Sequence, residues 1–366
     1  MMRVGVVLNP IAGFGGALAL HGTDTLPADR FDEAVRAGRA ARRLLHAIER
    51  FQDVPTNTEL VVAPGLLGAD QLTAAGIPHR TWNTTAPPTQ TDRNDTMAAA
   101  QSLLANGVTV LLFAGGDGTA TDIATAVGTG IPVIGVPAGV KMHSEVFTRS
   151  PASAGRLLAD FVAGCTRSEP AEVLDVRSDG ISTVVGTLTV PRSREALQGA
   201  KRSVRSPASG SARHAIALSL LTDTSADITW IIGPGNTAGA VAEGLGFVPT
   251  LRGVDVRHPT GSVEQDVAEE RLYRIADEAA RPRLVLGVVG GQGFLLGRGN
   301  QQISSRVIER VGAERVDIVA TADKIGGLVP AILFVDLDGA DALLGYRRVR
   351  TGVGQSTVMK VVNAAV

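Results

Sequence analysis

The chain has 366 residues, of which 44% are hydrophobic and 19% are charged. This length predicts two domains, and the composition excludes global disorder because the apolar residues suffice for a buried core. A formal net charge of −1 and an aromatic content of 4% argue against a nucleic-acid-binding or membrane-surface protein.

The first 150 residues alternate short apolar runs with helical patterns. Strands are predicted at 3–8, 59–63, 79–83, 108–114 and 132–136, and helices at 31–51, in the stretch up to Gly76, at 92–106 and at 120–127. This alternation predicts an α/β domain with a doubly wound parallel sheet. The ligands of such sheets bind at the carboxyl ends of the strands.

The rhythm changes after Ser150-Pro151, which predicts an N-cap and a proline at the start of a helix ending near Gly164. Further strands are then predicted at 172–178, 182–190, 214–221, 228–232, 283–289, 316–320, 331–337 and 345–362, and a helix at 263–280. We therefore predict an α/β domain of residues 1–150 and a β-rich domain of residues 151–366, with the boundary within 145–170.

The stretch Gly115-Gly116-Asp117-Gly118-Thr119 joins strand 108–114 to helix 120–127. Glycines at such a turn let backbone N–H groups and a helix N-terminus approach an anion. Because a carboxylate repels phosphate, we expect Asp117 to hold Mg²⁺ or to accept a proton from a hydroxyl under attack. Asp122 is the candidate Mg²⁺ ligand one turn further on. The alternative is a tight turn with Asp117 as a cap and Asp122 as a solvated charge.

Two further loops follow predicted strands at the same sheet edge. Asn9 and Gly13 lie in a glycine-rich loop at 9–16 that fits neither G-x-G-x-x-G nor the P-loop pattern, so a structural turn and a phosphate cradle both remain open. Lys141, which follows strand 132–136, is a candidate phosphate ligand. His143 and Ser144 are candidates for contacts with the acceptor, although a lone loop histidine is usually a surface residue.

Loops in the second half carry residues suited to hydrogen bonding with a ribose or a base. These candidates, for which ordinary turns are the alternative, are Gly235, Asn236, Thr237, Gln292 and Asn300. The basic stretch 192–213 is interpreted as a solvated loop, with Lys201 as a candidate lid residue over an anionic ligand.

Three segments together, VLNPIAGFGG, FAGGDGTATDIA and PVIGVPAGVKMHSEVF, resemble the ATP-NAD kinase family. The later segments QGAKRS, IIGPGNTAGAVAEGLG, LRGVDV and GGQGFLLGRGNQQIS resemble its AcoX-like branch, so the resemblance extends over nearly the whole chain. The GGDGT turn alone is shared with diacylglycerol and sphingosine kinases.

The resemblance implies a phosphotransferase that moves the terminal phosphate of ATP, or of polyphosphate, to the 2′-hydroxyl of the adenosine ribose of NAD. It implies that Asp117 engages the acceptor hydroxyl and that Gly115, Gly116, Gly118 and Thr119 cradle phosphate. We expect Mg²⁺ as cofactor, and NAD and ATP as ligands. The alternatives are a kinase for a nucleoside, polyol or lipid hydroxyl, and a non-catalytic nucleotide-binding regulator.

The compartment follows from short apolar runs and from one cysteine. No run is long enough for a membrane span or a signal peptide, and Cys165 alone allows no internal disulfide. We therefore expect a cytoplasmic protein, and we expect it to form a homo-oligomer.

Overall fold

The structure is a computed structural model that describes residues 1–20, 22–23, 26–52, 57–82, 89–140, 142–176, 182–192, 207–222 and 227–364. Within these residues the chain forms two compact units. The first is built from Met1–Phe14 and Gly22–Ala200, and the second from Gly15–His21 and Lys201–Ala364.

The first unit contains a parallel sheet that confirms the predicted doubly wound architecture. Its described strands are β1 (Met2–Leu8), β2 (Thr58–Val62), β3 (Arg80–Thr81), β4 (Val110–Gly115) and β5 (Val133–Pro137). They are all parallel, in the order β3-β2-β1-β4-β5. The strands are apolar nearly throughout because helices cover both faces of the sheet.

The helices of the first unit are α1 (Phe31–Ala37), α2 (Arg39–Gln52), α3 (Ala69–Ala74), α4 (Arg93–Ala105), α5 (Asp117–Val127) and α6 (Pro151–Val162). Apolar side chains of α2, α3 and α6 pack on one face of the sheet, and those of α4 and α5 pack on the other. The predicted helix at 31–51 is two helices, because Gly38 ends α1 with a φ of 57°.

An antiparallel hairpin of β6 (Arg167–Val176) and β7 (Ser182–Arg192) also belongs to the first unit. Val173 and Leu188 of the hairpin share a buried cluster with Ala120 and Ile123 of α5. Helix α6 packs against α2 in the same unit. The first unit therefore runs beyond the predicted boundary within 145–170, because the strands after it bury their apolar face on α5.

The second unit has a mixed sheet in the order β10-β9-β8-β11-β13-β15-β16-β14-β12, which confirms the predicted strand-rich architecture. Its strands are β8 (Thr229–Ile232), β9 (Asp255–Arg257), β10 (Val263–Glu264), β11 (Pro282–Gly287), β12 (Phe294–Leu296), β13 (Val316–Val319), β14 (Leu333–Val335), β15 (Gly345–Gly352) and β16 (Gln355–Asn363). Strands β8, β11, β13 and β15 are parallel to one another.

The helices of the second unit are α7 (Pro207–Leu221), α8 (Asn236–Gly244), α9 (Glu269–Glu278), α10 (Ser305–Val311) and α11 (Ala322–Gly326). The β-rich prediction for 214–221 is wrong, because Ile216, Ala217 and Leu220 are buried at helical spacing in α7. The predicted helix at 263–280 divides into β10 and α9. No helix among the described residues is long and apolar enough to cross a membrane.

The strand order of the first unit fixes where a ligand can bind. The chain extends in one direction from β1 to β2 and β3, and in the other from β4 to β5, so the order reverses between β1 and β4. Connections leave this point toward opposite faces, which opens a crevice at the carboxyl ends of these two strands. Asn9 follows β1 and Gly116 follows β4, so both lie at this crevice.

Candidate functional site

The glycine turn after β4 is a tight strand-to-helix connection. Gly116 is extended, with φ −122° and ψ −166°, and it forms the N-cap of α5. The helix begins at Asp117, earlier than the predicted start at residue 120. A Cβ atom on Gly115 would lie 2.3 Å from Oγ1 of Thr119, so a side chain at position 115 has no room.

The Asp117 carboxylate is buried and holds the loop that follows β5. Its Oδ2 accepts hydrogen bonds from the backbone N–H of His143 at 2.7 Å and from His143 Nδ1 at 2.9 Å. Its Oδ1 accepts from the backbone N–H of Ser144 at 3.1 Å and from Ser144 Oγ at 2.7 Å. An ionised carboxylate has about four lone-pair sites, and these four donors occupy them. Asp117 is therefore a hydrogen-bonded anchor in the protein interior rather than a solvated cap.

Ser144 extends this arrangement to the hairpin. Its hydroxyl donates to Asp117 and accepts the backbone N–H of Leu174 in β6 at 3.0 Å. Ser144 is fully buried, whereas the His143 side chain remains 14% exposed. The carboxylate and the hydroxyl are thus fixed from both sides, and the imidazole is the more accessible member of the group.

Asn9 connects the loop after β1 to the turn after β4. Its Nδ2 donates to Thr119 Oγ1 at 3.0 Å, and its Oδ1 accepts the backbone N–H of Ile11 at 3.3 Å. Gly13 has a φ of 81°, and a Cβ there would lie 2.2 Å from the carbonyl oxygen of Ala138. The loops after β1, β4 and β5 therefore meet at one edge of the sheet, as predicted.

The first turn of α5 offers an anion-binding surface at this edge. The N–H groups of the first turn of an α-helix have no partner inside the helix, and the helix dipole adds partial positive charge. Gly118 is exposed and Gly116 is half-buried, so the backbone here is accessible. A phosphate could therefore approach the main chain at Gly116 and Gly118, which carry no side chain of their own.

The residues at this edge do not fit a metal ion held by the protein. Asp122 Oδ1 accepts a hydrogen bond from Nη2 of Arg93 at 3.0 Å, and the two side chains form an ion pair. Asp117 is occupied by its loop. Across the described ranges, no three His, Cys, Asp or Glu side chains form a group able to hold a metal ion. The guanidinium of Arg93 already supplies the cation at Asp122.

Some predicted site residues lie in the second unit, and others lie outside the residues that the structure describes. Lys141 and Lys201 lie outside the described residues. In the second unit, Gly235 has a φ of 103° and forms the N-cap of α8, which begins at the exposed Asn236. The buried Thr237 accepts a hydrogen bond at Oγ1 from Nζ of Lys324 at 3.0 Å.

Lys324 is a residue that the sequence interpretation missed. Its Nζ lies 3.5 Å from the carbonyl oxygen of Val288, just after β11, and so stands near the ends of two strands. Its positive charge therefore lies close to the start of α8, where the helix dipole is also positive. Its position shortly after β13 was the available signal, because the other candidate residues also follow parallel strands.

The remaining candidates of the second unit are buried within a loop. Gln292 is buried in the turn after β11. The Asn300 side chain accepts the backbone N–H of Gly297 at 3.0 Å and donates to the carbonyl oxygen of Leu295 at 2.7 Å. Since both ends of its amide are used by its own loop, the contacts of Asn300 favour the ordinary-turn interpretation.

Comparison with known families matches residues 4–165 to the ATP-NAD kinase N-terminal domain. The matched range contains the three loops at the sheet edge and ends just before the hairpin. The second unit lies outside it, apart from the short segment 15–21. The chain matches no curated protein.

Proposed function

We propose that this protein transfers the terminal phosphate of ATP to the 2′-hydroxyl of the adenosine ribose of NAD, on the premise that residues 4–165 match the N-terminal domain of the ATP-NAD kinase family. The family is one of kinase-type phosphotransferases. The observation that carries the proposal is the buried Asp117 at the start of α5, held beside an accessible glycine turn at the crevice between β1 and β4.

Phosphoryl transfer requires alignment of the reactants and neutralisation of charge more than covalent help. The accessible backbone at Gly116 and Gly118 would hold donor phosphate oxygens at the start of α5. Asn9 and Thr119 fix each other and so keep this turn rigid. Because a carboxylate repels phosphate, we place the acceptor hydroxyl on the side of the turn where Asp117 holds His143 and Ser144.

We propose that Mg²⁺ is carried by the donor phosphates rather than by Asp122, since Arg93 already neutralises that carboxylate. When bound in this way, the ion offsets the negative charge of the phosphate chain. Polyphosphate offers the same chain of phosphates, so it is the second candidate donor. Since the proposed reaction uses metabolites of the cytoplasm, we propose a cytoplasmic location. The homo-oligomeric state stays a prediction.

Another hydroxyl acceptor is the second candidate function. The family match stops at residue 165 and leaves nearly all of the second unit unmatched, and the sequence contains no Asn-Glu dipeptide of the kind that contacts the dinucleotide in the resembling family. The hydroxyl of a nucleoside, a polyol or a lipid would lose a proton in the same way at this site. A non-catalytic nucleotide-binding regulator is the remaining alternative.

The test is incubation of purified protein with Mg²⁺ and either ATP or polyphosphate, together with NAD, NADH, or a panel of nucleosides, polyols and lipids. We expect NADP from NAD, detected by mass. The control variant is Asp122→Asn, which removes a neighbouring carboxylate that the proposal does not use. We expect it to form the same product as the unmodified protein. A different phosphorylated product would reassign the acceptor, and tight NAD binding with no product from either donor would favour the regulator.

A further inference from the structure

We propose that His143 accepts the proton of the attacking hydroxyl and that Asp117 positions it. This deepens the proposed function and rests on it, since it names the proton acceptor for the same transfer. The juxtaposition behind it is a buried carboxylate that holds a partly exposed imidazole through Nδ1 at 2.9 Å.

Asp117 is poorly placed to take the proton itself. Its side chain is 4% exposed, and its two oxygens accept four hydrogen bonds from His143 and Ser144. A substrate hydroxyl could reach an oxygen of Asp117 only by displacing one of these donors. Two of them are backbone N–H groups, so their displacement would move the loop itself.

His143 is placed to take the proton instead. Because an ionised carboxylate only accepts hydrogen bonds, Nδ1 of His143 carries the hydrogen that it donates to Asp117. In the neutral imidazole this leaves the lone pair on Nε2. The backbone N–H of His143 binds the same carboxylate oxygen at 2.7 Å, which fixes the base of the side chain as well as the ring.

Ser144 fixes the other carboxylate oxygen and so completes the support. Its hydroxyl and backbone N–H both donate to Oδ1 of Asp117, and its hydroxyl is itself held by the backbone of β6. The carboxylate therefore has little freedom to rotate. A base held in one tautomer and one orientation is what general-base catalysis requires.

The proton balance of the step is as follows. The acceptor hydroxyl oxygen forms a bond to the terminal phosphorus of the nucleoside triphosphate, and the bond from that phosphorus to the bridging oxygen breaks. The hydroxyl proton passes to Nε2 of His143, which becomes imidazolium beside Asp117. The nucleoside diphosphate leaves, and the imidazolium releases its proton to solvent.

The kinetic test compares variants that separate the contact with Asp117 from the base. In His143→Asn the side-chain amide can still donate to Asp117 but supplies no base, whereas His143→Ala leaves a space for added imidazole. We expect kcat to fall about 10²- to 10⁴-fold in both, and imidazole to restore part of it only in His143→Ala. His258→Ala is the matched control. His258 also contacts a carboxylate, Glu264, at 2.8 Å, but it lies in the second unit.

A tautomer measurement tests the same inference without any substrate. Nitrogen-15 NMR of the His143 ring should show hydrogen on Nδ1 in the unmodified protein, with the signal assigned by its loss in His143→Asn. Asp117→Asn should move the hydrogen to Nε2, because the asparagine amide can present a donor to Nδ1. An unchanged tautomer in an Asp117→Asn variant that still melts cooperatively would show that Asp117 does not fix which ring nitrogen carries the hydrogen.

The outcomes separate the two proposals. If the unmodified protein phosphorylates no acceptor, the proposed function fails. The tautomer of His143 then remains the only test of its contact with Asp117. If NADP forms but His143→Asn turns over at the unmodified rate, the assignment of His143 is overturned. An Nε2–H tautomer in the unmodified protein would overturn it as well, whatever the activity.

Discussion

Each of the two compact units has a helix that begins shortly after a parallel strand, and the side chains beside these two helix starts have opposite charges. The helices are α5, which follows β4, and α8, which follows β8. The first unit places Asp117 at the start of its helix. The second places Lys324 against Thr237, the second residue of α8.

The difference indicates what each helix start is suited to contact. A carboxylate opposes the positive end of a helix dipole, so the group around Asp117 is electrostatically satisfied by the protein itself. A lysine adds to that positive end, so the start of α8 is more positive than the start of α5. We therefore expect the start of α5 to contact a neutral group that loses a proton, and the start of α8 to contact a negatively charged group that stays unchanged.

The largest expected contrast is between Asp117→Asn and Lys324→Met. We expect the first to lower kcat about 10²- to 10⁴-fold with little change in KM, because it removes the support of the base. We expect the second to raise the KM of the anionic ligand about tenfold with little change in kcat, because it removes one charged donor. Steady-state kinetics on NADP formation measures both.

The comparison fails if the two variants behave alike. Lys324→Met with an unchanged KM would remove the lysine from ligand binding. Asp117→Asn with full turnover would remove the acid from the mechanism. Thermal melts of both variants serve as the control for folding.

Much of the first unit could be predicted from sequence because its signals are local. Apolar runs fixed the strands of the sheet, and strand-helix alternation indicated that their carboxyl ends share an edge. The close approach of Asn9 to Thr119 follows from that topology. The error at 214–221 has a physical cause: a short apolar run fits a buried strand or a buried helix equally well until its neighbours are known.

The details of the site depended on tertiary contacts that no local pattern carries. Nothing in the residues around 117 indicated that its carboxylate binds His143 and Ser144, because that loop is brought back by β5. Likewise, the Asp122 carboxylate was predicted as a metal ligand, and its pairing with Arg93 depends on how α4 packs beside α5. Lys324 was missed because its partner Thr237 is distant in sequence.

A second contrast concerns one glycine near each helix start, Gly13 near the start of α5 and Gly235 at the start of α8. Gly13→Ala would put a Cβ 2.2 Å from the carbonyl oxygen of Ala138 at a φ of 81°, whereas Gly235→Ala meets only the strain of its φ of 103° and no heavy atom within 4 Å. We expect the first to lower the free energy of unfolding by about 2–5 kcal/mol and the second by about 1–2 kcal/mol. Urea unfolding of each variant measures the difference, and equal losses would show that the packing of the loop on Ala138 is unimportant.

A third contrast tests the hydroxyl groups that hydrogen-bond the two charged side chains, Ser144 at Asp117 and Thr237 at Lys324. Ser144→Ala removes the partner of the N–H of Leu174 and one of the four hydrogen bonds to the buried carboxylate of Asp117, so we expect a loss of about 1–3 kcal/mol in the free energy of unfolding. Thr237→Val keeps the shape and removes one hydrogen bond from the half-buried Lys324, so we expect a loss of about 0.5–1.5 kcal/mol. Chemical denaturation would contradict this if Thr237→Val proved the more damaging.

The smallest expected effect comes from the histidine–carboxylate contact of the second unit. Hydrogen bonds from Arg271, opposed by burial and helped by His258, lower the pKa of Glu264 from 4.5 to about 2. Because the folded pKa is below the unfolded one, this stabilisation is fully present above pH 4.5 and is lost as the pH falls toward 2.

We therefore expect Glu264→Gln to lower the free energy of unfolding at pH 7 by about 1 kcal/mol or less, because solvent screens side chains that are 33% and 42% exposed. The difference between Glu264→Gln and the unmodified protein should shrink between pH 4.5 and 2 in urea unfolding. A loss at pH 7 as large as that of Ser144→Ala would mean that burial does not distinguish the two histidine–carboxylate contacts. In that case, only the position at the crevice between β1 and β4 would distinguish the pair of Asp117 and His143 from the pair of Glu264 and His258.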